Sequence, residues 1–493
     1  MAVCLVALII ILLGVGPLAG QYAGKASAAT VTYQVTPQDG TVTLLRRPEI
    51  KFQLNLGGEK LVSYKLLLDG QDNTYVGYPI SQSVHDSATV ELKAMSVQLK
   101  TAGGQVVQPP APVKVRLGID NIDKHLGLFQ GKRIGLITNQ TGMTSGFQST
   151  IDVLKAKTNL VALFSPEHGI RGNVPAGANV GSYIDERTGV PVYSLYGRTK
   201  KPTAEMLDNV DILAFDMQDI GARFYTYMYT MAYAMQSAKE YGKTFVVFDR
   251  PNPVGGEIVE GNIIQPGFES FIGMYPIPAR HGLTIGELAL LMNREYKINC
   301  DLVVIRMTGW QRAMHFNDTG LPWVMTSPNI PTPDTALVYS GTGMLGGTNV
   351  SEGIGTTRPF ELVGAPWIDA NALAERMNAA GLPGAVFRPV YFTPRQVDVK
   401  YQGQLCGGVQ IHVTDRQTFR AVRTGLTLMY VISEMSSGKF SFNQSGSAAA
   451  PMIDLYTGDS NVRWGVPLAE LLSRWDEAAA RFKEMSKQYY LYQ

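Results

Sequence analysis

Hydrophobic and polar positions follow two different periods along this chain. From about Thr30 to Lys100 they alternate every second residue, as in "VTYQVTP", "EIKFQLNL", "LVSYKLLLDG" and "ATVELKAMSVQLK". That is the signature of half-buried strands punctuated by turns, and nothing in the stretch has helical periodicity. It predicts a small β-sandwich over residues 30–104. The Gly- and Pro-bearing "GGQVVQPPAPVKV" then predicts a linker over 105–114.

Beyond the linker the pattern changes to short, continuously apolar runs alternating with helical segments. "RIGLITN" (133–139), "LVALFSPEHG" (160–169), "VDILAFDMQD" (210–219), "TFVVFDRPNP" (244–253) and "DLVVIRM" (301–307) read as buried parallel strands. Between them "FQSTIDVLKAK", "PTAEMLDNV", "YTYMYTMAYAMQSAKEYG" and "TIGELALLMNREYK" read as helices. Strands and helices in this alternation predict an α/β fold with a doubly wound sheet over 115–338. From about Tyr339 the order breaks. "FRPVYFTP", "CGGVQIHVTD", the helical "RAVRTGLTLMYVISEM" and a polar final helix predict a smaller α+β domain over 339–493.

The first residues add a location. An apolar run followed by small residues and Ala26-Ser27-Ala28 reads as a signal peptide over 1–29. No Lys or Arg precedes the run, so it is either cleaved near Ala28 or kept as a membrane anchor; both place the protein outside the cytoplasm. With 43 basic and 41 acidic residues no charge excess points to nucleic acid. Past the leader only Cys300 and Cys406 remain, enough for one disulfide or two buried thiols, and too few for a zinc site.

Candidate chemistry collects at the strand ends. In an open parallel sheet, ligands bind outside the carboxyl ends of the strands. Here four runs end in Asn139, in Glu167-His168, in Gln218-Asp219, and in Asp249-Arg250-Asn252, so carboxylates, an imidazole and a guanidinium are expected along one edge. Arg223 and Tyr225 follow the third run; Arg223 is expected to pair with a substrate anion or with Asp219. Tyr225, Tyr227 and Tyr229 are expected to open the long helix, at least one of them as core. Thr284 and Glu287 have the spacing of a capping box, which leaves His281 free in the loop before it. "SGTGMLGG" contains G-x-G-x-x-G after the strand-like "ALVYS", but no helix is expected to begin there, so no dinucleotide site is read. No serine-hydrolase elbow or zinc motif is present, and neither metal nor cofactor is expected. What remains in that loop is Glu352, flanked by small residues expected to let a partner approach.

The motifs "GLITNQTG", "LFSPEHGIRG", "GVPVYSLYG", "DMQDIGARFYTY", "DRPNPVGG", "HGLTIGELA", "SPNIPTPDTALVYSGTG" and "TNVSEGIGTTRPFELVGAPW", in this order, resemble the NamZ-type exo-β-N-acetylmuramidases. The resemblance runs from about Val115 onward. It implies a Rossmann-like domain and a smaller C-terminal domain with the active site between them, and release of N-acetylmuramic acid from non-reducing ends of peptidoglycan fragments. The family's Glu of "PEHG", His of "HG" and Glu of "SEG" match Glu167, His281 and Glu352. Where the family usually reads "SEGRGTT" this chain has Ile354, so an arginine contact to the lactyl carboxylate would fall to Arg358 or Arg223.

Glycoside cleavage needs one carboxylic acid to protonate the leaving oxygen and a second group at the oxocarbenium-like centre. Glu167 is read as the acid, Glu352 or Asp219 as base or nucleophile, and His281 and Asn329 as orienting groups; assistance by the substrate's own acetamido group stays open. His168, Arg171, Asn349 and Arg358 complete the expected substrate contacts. The partner is expected to be MurNAc-GlcNAc glycan, with the sandwich associating with the wall. The competing readings are a non-catalytic wall-binding protein and an amidase or esterase, the latter without an activated Ser, Cys or metal.

Overall fold

The apolar runs form a sheet buried on both faces. In the computed structural model the described residues are 115–166, 169–171, 181–197, 199–443 and 450–493, with the strand backbone of short segments between 10 and 107. Strands β1 (Arg133–Thr138), β2 (Asn159–Ser165), β3 (Tyr183–Ile184), β4 (Pro191–Ser194), β5 (Ile212–Asp216), β6 (Thr244–Phe248) and β7 (Asp301–Ile305) lie in the order β3-β4-β2-β1-β5-β6-β7. Every pairing is parallel except β3 with β4. The chain starts in the middle, winds outward to β4, then returns past β1 to wind the other way. That reversal, between β1 and β5, is where a doubly wound sheet opens a crevice.

Successive strand residues face opposite sides, and both sides are core. Leu213 and Phe215 of β5 join one cluster with Phe245 and Val247, while Ile212 and Ala214 join another with Val246 and Phe248. This is why the runs read as continuously hydrophobic. After α1 (Thr150–Lys157) and α2 (Ala204–Leu207), the first cluster is covered by α3 (Tyr227–Glu240) and α4 (Ile285–Glu295), which bury Met228, Met231, Met235, Leu288 and Met292. α4 opens with the expected capping box: Thr284 Oγ1 accepts from Glu287 N at 3.2 Å and Glu287 Oε2 accepts from Thr284 N at 3.0 Å.

Two features differ from the sequence reading. β3, at the sheet edge, and β4, between β3 and β2, are short strands that carry little apolar period and were not expected. "ALVYS" is not strand but lies in α5 (Pro333–Thr342), which starts with Thr332 as cap and Pro333 in its first turn, a helix signal that the Gly-rich context obscured. Residues 338 and 339 both lie in α5; residues 113–493 make one compact unit and 1–112 another. The glycines of G-x-G-x-x-G serve packing: a Cβ on Gly341 would sit 1.9 Å from Ala421 O, at the start of α7 (Ala421–Met435). The smaller sheet orders β8 (Leu362–Ala365), β10 (Cys406–Val413) and β9 (Ala385–Phe392) antiparallel. Cys300 and Cys406 are buried and unpaired, with burial pushing their thiols up to about 12 and about 11.

In the first unit, Glu49–Asn55 pairs antiparallel with Leu61–Leu67, which pairs with Gly77–Pro79. Otherwise the leader expected over 1–29, the sandwich over 30–104 and most of the linker lie outside the described residues.

Candidate active site

The ends of β1 and β5 meet at the reversal point and hold each other by side chains. Asn139 Oδ1 accepts from Thr141 N at 2.9 Å and from Thr141 Oγ1 at 2.6 Å, and Thr141 Oγ1 in turn accepts from Gln218 N at 2.9 Å. Gln218 spends its amide on the carbonyls of Asp219 and Pro251, each at 2.7 Å. It fixes the loop after β5, which places Asp219. One Asp219 oxygen, Oδ2, accepts from Gly221 N at 2.7 Å.

His281 comes to the same place from the loop before α4. Its Nδ1 accepts from Leu283 N at 3.2 Å, so Nε2 is the nitrogen left to carry the proton. Nε2 lies 3.4 Å from Asp219 Oδ2 but out of line for a hydrogen bond. His281 is wholly buried and Asp219 is 4% exposed.

Buried polar atoms without a partner occur at several places in the core, among them Trp310 Nε1 and both ring nitrogens of His315, but here they gather at the strand ends. Asn139 Nδ2, Gln140 Oε1, Asp219 Oδ1, Tyr225 Oη, His281 Nε2 and Thr326 Oγ1 are all in this state. They belong to neighbouring residues: Gln140 Nε2 and Tyr227 Oη donate to Thr326 O at 3.1 and 2.6 Å, and the Tyr225 and Tyr227 rings meet edge to face at 4.8 Å. Such atoms cost about 1–3 kcal/mol each when left alone in a core. A cluster of donors and acceptors at the mouth of a doubly wound sheet is a candidate for binding a polar ligand. Burial also holds the Tyr225 phenol well above its ordinary range.

Glu352 is carried by the loop between α5 and β8. Its backbone is clamped to the strand through Ser351 and Gly364, at 2.8 and 3.0 Å, and to Phe360 at 2.6 Å. Its side chain, 12% exposed, pairs with Lys400 at 2.7 Å. The small residue beside it serves that backbone: a Cβ on Gly353 would lie 2.5 Å from Leu362 O. An aromatic chain from Tyr225 to Tyr339, then to Phe224 and Tyr456, runs from the strand ends toward this loop with ring centroids 6.1, 5.2 and 5.3 Å apart. Glu167 and His168, the expected acid and its neighbour, lie outside the described residues.

Several expected substrate contacts have other duties. Arg223 is fully buried and donates to the carbonyls of Asn262, Ile277 (2.7 Å) and Tyr456 (2.5 Å), with burial pulling its guanidinium down to about 10. It ties loops together, with Asp459 as a neighbouring anion, and makes no hydrogen bond to Asp219. Asp249 accepts from Thr284 Oγ1, Gly286 N and Tyr492 Oη at 2.9, 2.8 and 2.6 Å, anchoring the start of α4, and burial raises its carboxyl to about 7. Arg250 forks onto Asp216 at 2.6 and 2.9 Å, and Asn252 joins Leu283 O to Val254 N. The cavity beside Arg250, Gln218 and Trp323 is about 30 Å³, room for a water and not for a sugar.

Arg171 grips buried Asp185 through both carboxylate oxygens at 2.8 and 3.0 Å. Asn349 uses its amide on Lys439 O and Ser441 N. Arg358, half exposed, makes a 3.2 Å pair with Glu361. Asn329 sits partly buried in a turn with its N–H on Ser327 Oγ at 3.4 Å. Tyr225 precedes α3, whose cap is Thr226, so it does not open the helix as expected; Tyr225, Tyr227 and Tyr229 are all buried. Sequence reasoning missed Gln140, Thr326 and Lys400. The first adjoins Asn139 and the second precedes "SPNIPTPD", so both had a motif nearby; Lys400 had none. Among the described residues no group of three or more His, Cys, Asp or Glu is placed to hold a metal.

The models of exo-beta-N-acetylmuramidase NamZ match this chain over both halves of the unit, the N-terminal one over residues 134–334 and the C-terminal one over 337–492. The chain belongs to the NamZ family. It is 50% identical over 386 residues to a protein of Bacillus subtilis (strain 168) named peptidoglycan beta-N-acetylmuramidase NamZ, covering 77% of this chain and 92% of that one. Two crystal structures of DUF1343 family proteins from Bacteroides fragilis NCTC 9343 share the fold. One has a TM-score of 0.71 at 38% identity, over 78% of this chain and all of its own; the other has 0.63 at 32%, over 77% and 99%. NamZ membership thus covers the doubly wound sheet and the smaller sheet alike.

Proposed function

We propose that this chain is an exo-acting glycoside hydrolase, a β-N-acetylmuramidase that releases N-acetylmuramic acid from non-reducing ends of peptidoglycan fragments in wall turnover or recycling. The observation that carries the reading is 50% identity over nearly the whole length of the Bacillus subtilis muramidase. The site chemistry agrees with it. Asp219 presents one carboxylate oxygen with no protein donor, while its other oxygen is held by Gly221 and faced by His281. Asn139 offers an amide donor and Tyr225 a hydroxyl that gives or takes a hydrogen bond. These suit a sugar carrying hydroxyl, acetamido and lactyl groups.

In this reading Glu167, two positions past the end of β2, protonates the leaving oxygen. Asp219 or Glu352 serves the opposite face as base or nucleophile, with His281 orienting, and His168 and Asn329 are neighbouring contacts. The substrate is a MurNAc-GlcNAc fragment. Residues 30–104 associate with the wall, and residues 1–29 direct export, either cleaved or retained as an anchor.

The test is release of free sugar from a chromogenic β-N-acetylmuramide by the purified protein, beside the matching β-N-acetylglucosaminide and beside Glu167→Gln. Release from the muramide alone, lost in the variant, is expected. Binding of the muramide without release from either sugar would replace the enzyme by a wall-binding protein.

A further inference from the structure

Glu352 has a partner that no sequence motif announces. Lys400 lies on a strap, residues 393–405, that connects β9 to β10. Its ammonium reaches three acceptors: Glu352 Oε2 at 2.7 Å, Leu345 O at 2.8 Å and Val350 O at 3.0 Å. All three belong to the segment that carries Glu352, so the lysine nails that segment and the carboxylate to one point. The other Glu352 oxygen makes no hydrogen bond among the described residues.

The strap is built to hold this lysine. Arg395 N donates to Gly355 O at 2.9 Å, Gly403 N to Pro394 O at 2.8 Å, and Trp367 Nε1 to Tyr401 Oη at 3.1 Å. Two non-glycine residues near Lys400 are left-handed, Asp398 at φ 60° and Tyr401 at φ 55°. Each costs about 1–2 kcal/mol and persists only where surrounding contacts dictate the geometry. A carboxylate that is 12% exposed needs a counter-charge. Besides Lys400, the ionisable group that faces it is the buried Tyr456, whose phenol is raised to about 12, first by burial and then by Glu352.

We infer that Lys400 is a positioning residue of the glycosidase: from the strap it fixes one oxygen of Glu352 and leaves the other for the reacting sugar. The inference rests on the reading of Glu352 as the carboxylate that meets the oxocarbenium-like centre.

The test compares Lys400→Met, Lys400→Arg, Glu352→Gln and the double variant Glu352→Gln/Lys400→Met on the chromogenic muramide, with thermal unfolding of each. Lys400→Met is expected to lower kcat about 10²-fold with KM changed less than about threefold, the pattern of a group that serves the transition state. Lys400→Arg, which keeps the charge, is expected to recover most of that loss. The double variant is expected to be no slower than Glu352→Gln alone, because the lysine acts only through that carboxylate. Should Lys400→Met not fold, Lys400→Gln replaces it in the same comparison. If Glu352→Gln is slow while Lys400→Met keeps wild-type kcat, or if the two losses multiply, the inference fails by itself. If Glu352→Gln keeps full activity, the reading of Glu352 fails and takes the inference with it.

Discussion

Two sets of buried polar residues sit within a few positions of each other at the strand ends, and they differ in what is left over. In one, Asp216, Asp249, Arg250 and Asn252 have their polar groups engaged: Arg250 on Asp216, Asp249 on the start of α4, Asn252 between Leu283 O and Val254 N. In the other, Asn139, Asp219, Tyr225, His281 and Thr326 are equally buried, yet each keeps an atom without a partner. Burial of polar groups at a strand end therefore does not mark function. Several incompletely bonded atoms gathered at the reversal of the sheet are the better guide, because together they offer a polar ligand the partners that the fold leaves unused; single ones, such as Trp310 Nε1, also occur elsewhere in the core.

The largest effect should come from the unfinished set. Asp219→Asn keeps an acceptor for Gly221 N and is expected to lower kcat about 10²- to 10⁴-fold with the unfolding midpoint unchanged. Steady-state kinetics beside thermal unfolding reads both, and a variant that unfolds while its folded fraction stays fully active would erase the distinction between the sets. Arg223→Met is the converse. It strips the donor from three buried carbonyls and is expected to cost about 3–5 kcal/mol in denaturant unfolding, while the folded fraction turns over normally.

Tyr492→Phe removes the hydroxyl that donates to Asp249 at 2.6 Å and should cost about 1.5–3 kcal/mol. A pH signature goes with it. The Asp249 carboxyl stands at about 7 in the folded protein against 3.8 ordinarily, so between those values the native state binds the extra proton. The stability this carboxyl contributes is complete below about 3.8 and is lost as pH rises through about 7. Asp249→Asn should flatten that part of the stability–pH curve; a curve unchanged in the variant would show that this carboxyl does not titrate there. The smallest effect belongs to Arg358, half exposed in a single pair. Arg358→Ala should change stability by less than about 1 kcal/mol and leave kcat and KM alone. A rise in KM for the muramide, with the glucosaminide as control, would return Arg358 to the substrate.

Much of the fold was legible because burial on both faces of a parallel strand leaves a continuous apolar run. Thus β1, β2, β5, β6 and β7 could be placed, and the Thr284/Glu287 cap fixed the start of α4. β3 and β4 were missed because strands of two and four residues with partly exposed side chains carry too little period to register. α5 was missed because Gly341, needed for close approach to α7, and the glycines just after the helix looked like a loop.

For the site, the sequence by itself determined the inventory. Strand ends in a doubly wound fold supply Asn139, Asp219 and Asp249, and the motifs carry the family. Only the tertiary structure decided which of these polar groups are finished. Asp249 and Arg223 are tied to partners 35 to 243 positions away, and Glu352 is held by a lysine 48 positions on. A hydrogen bond depends on where two groups stand in space, and local periodicity holds no record of that distance.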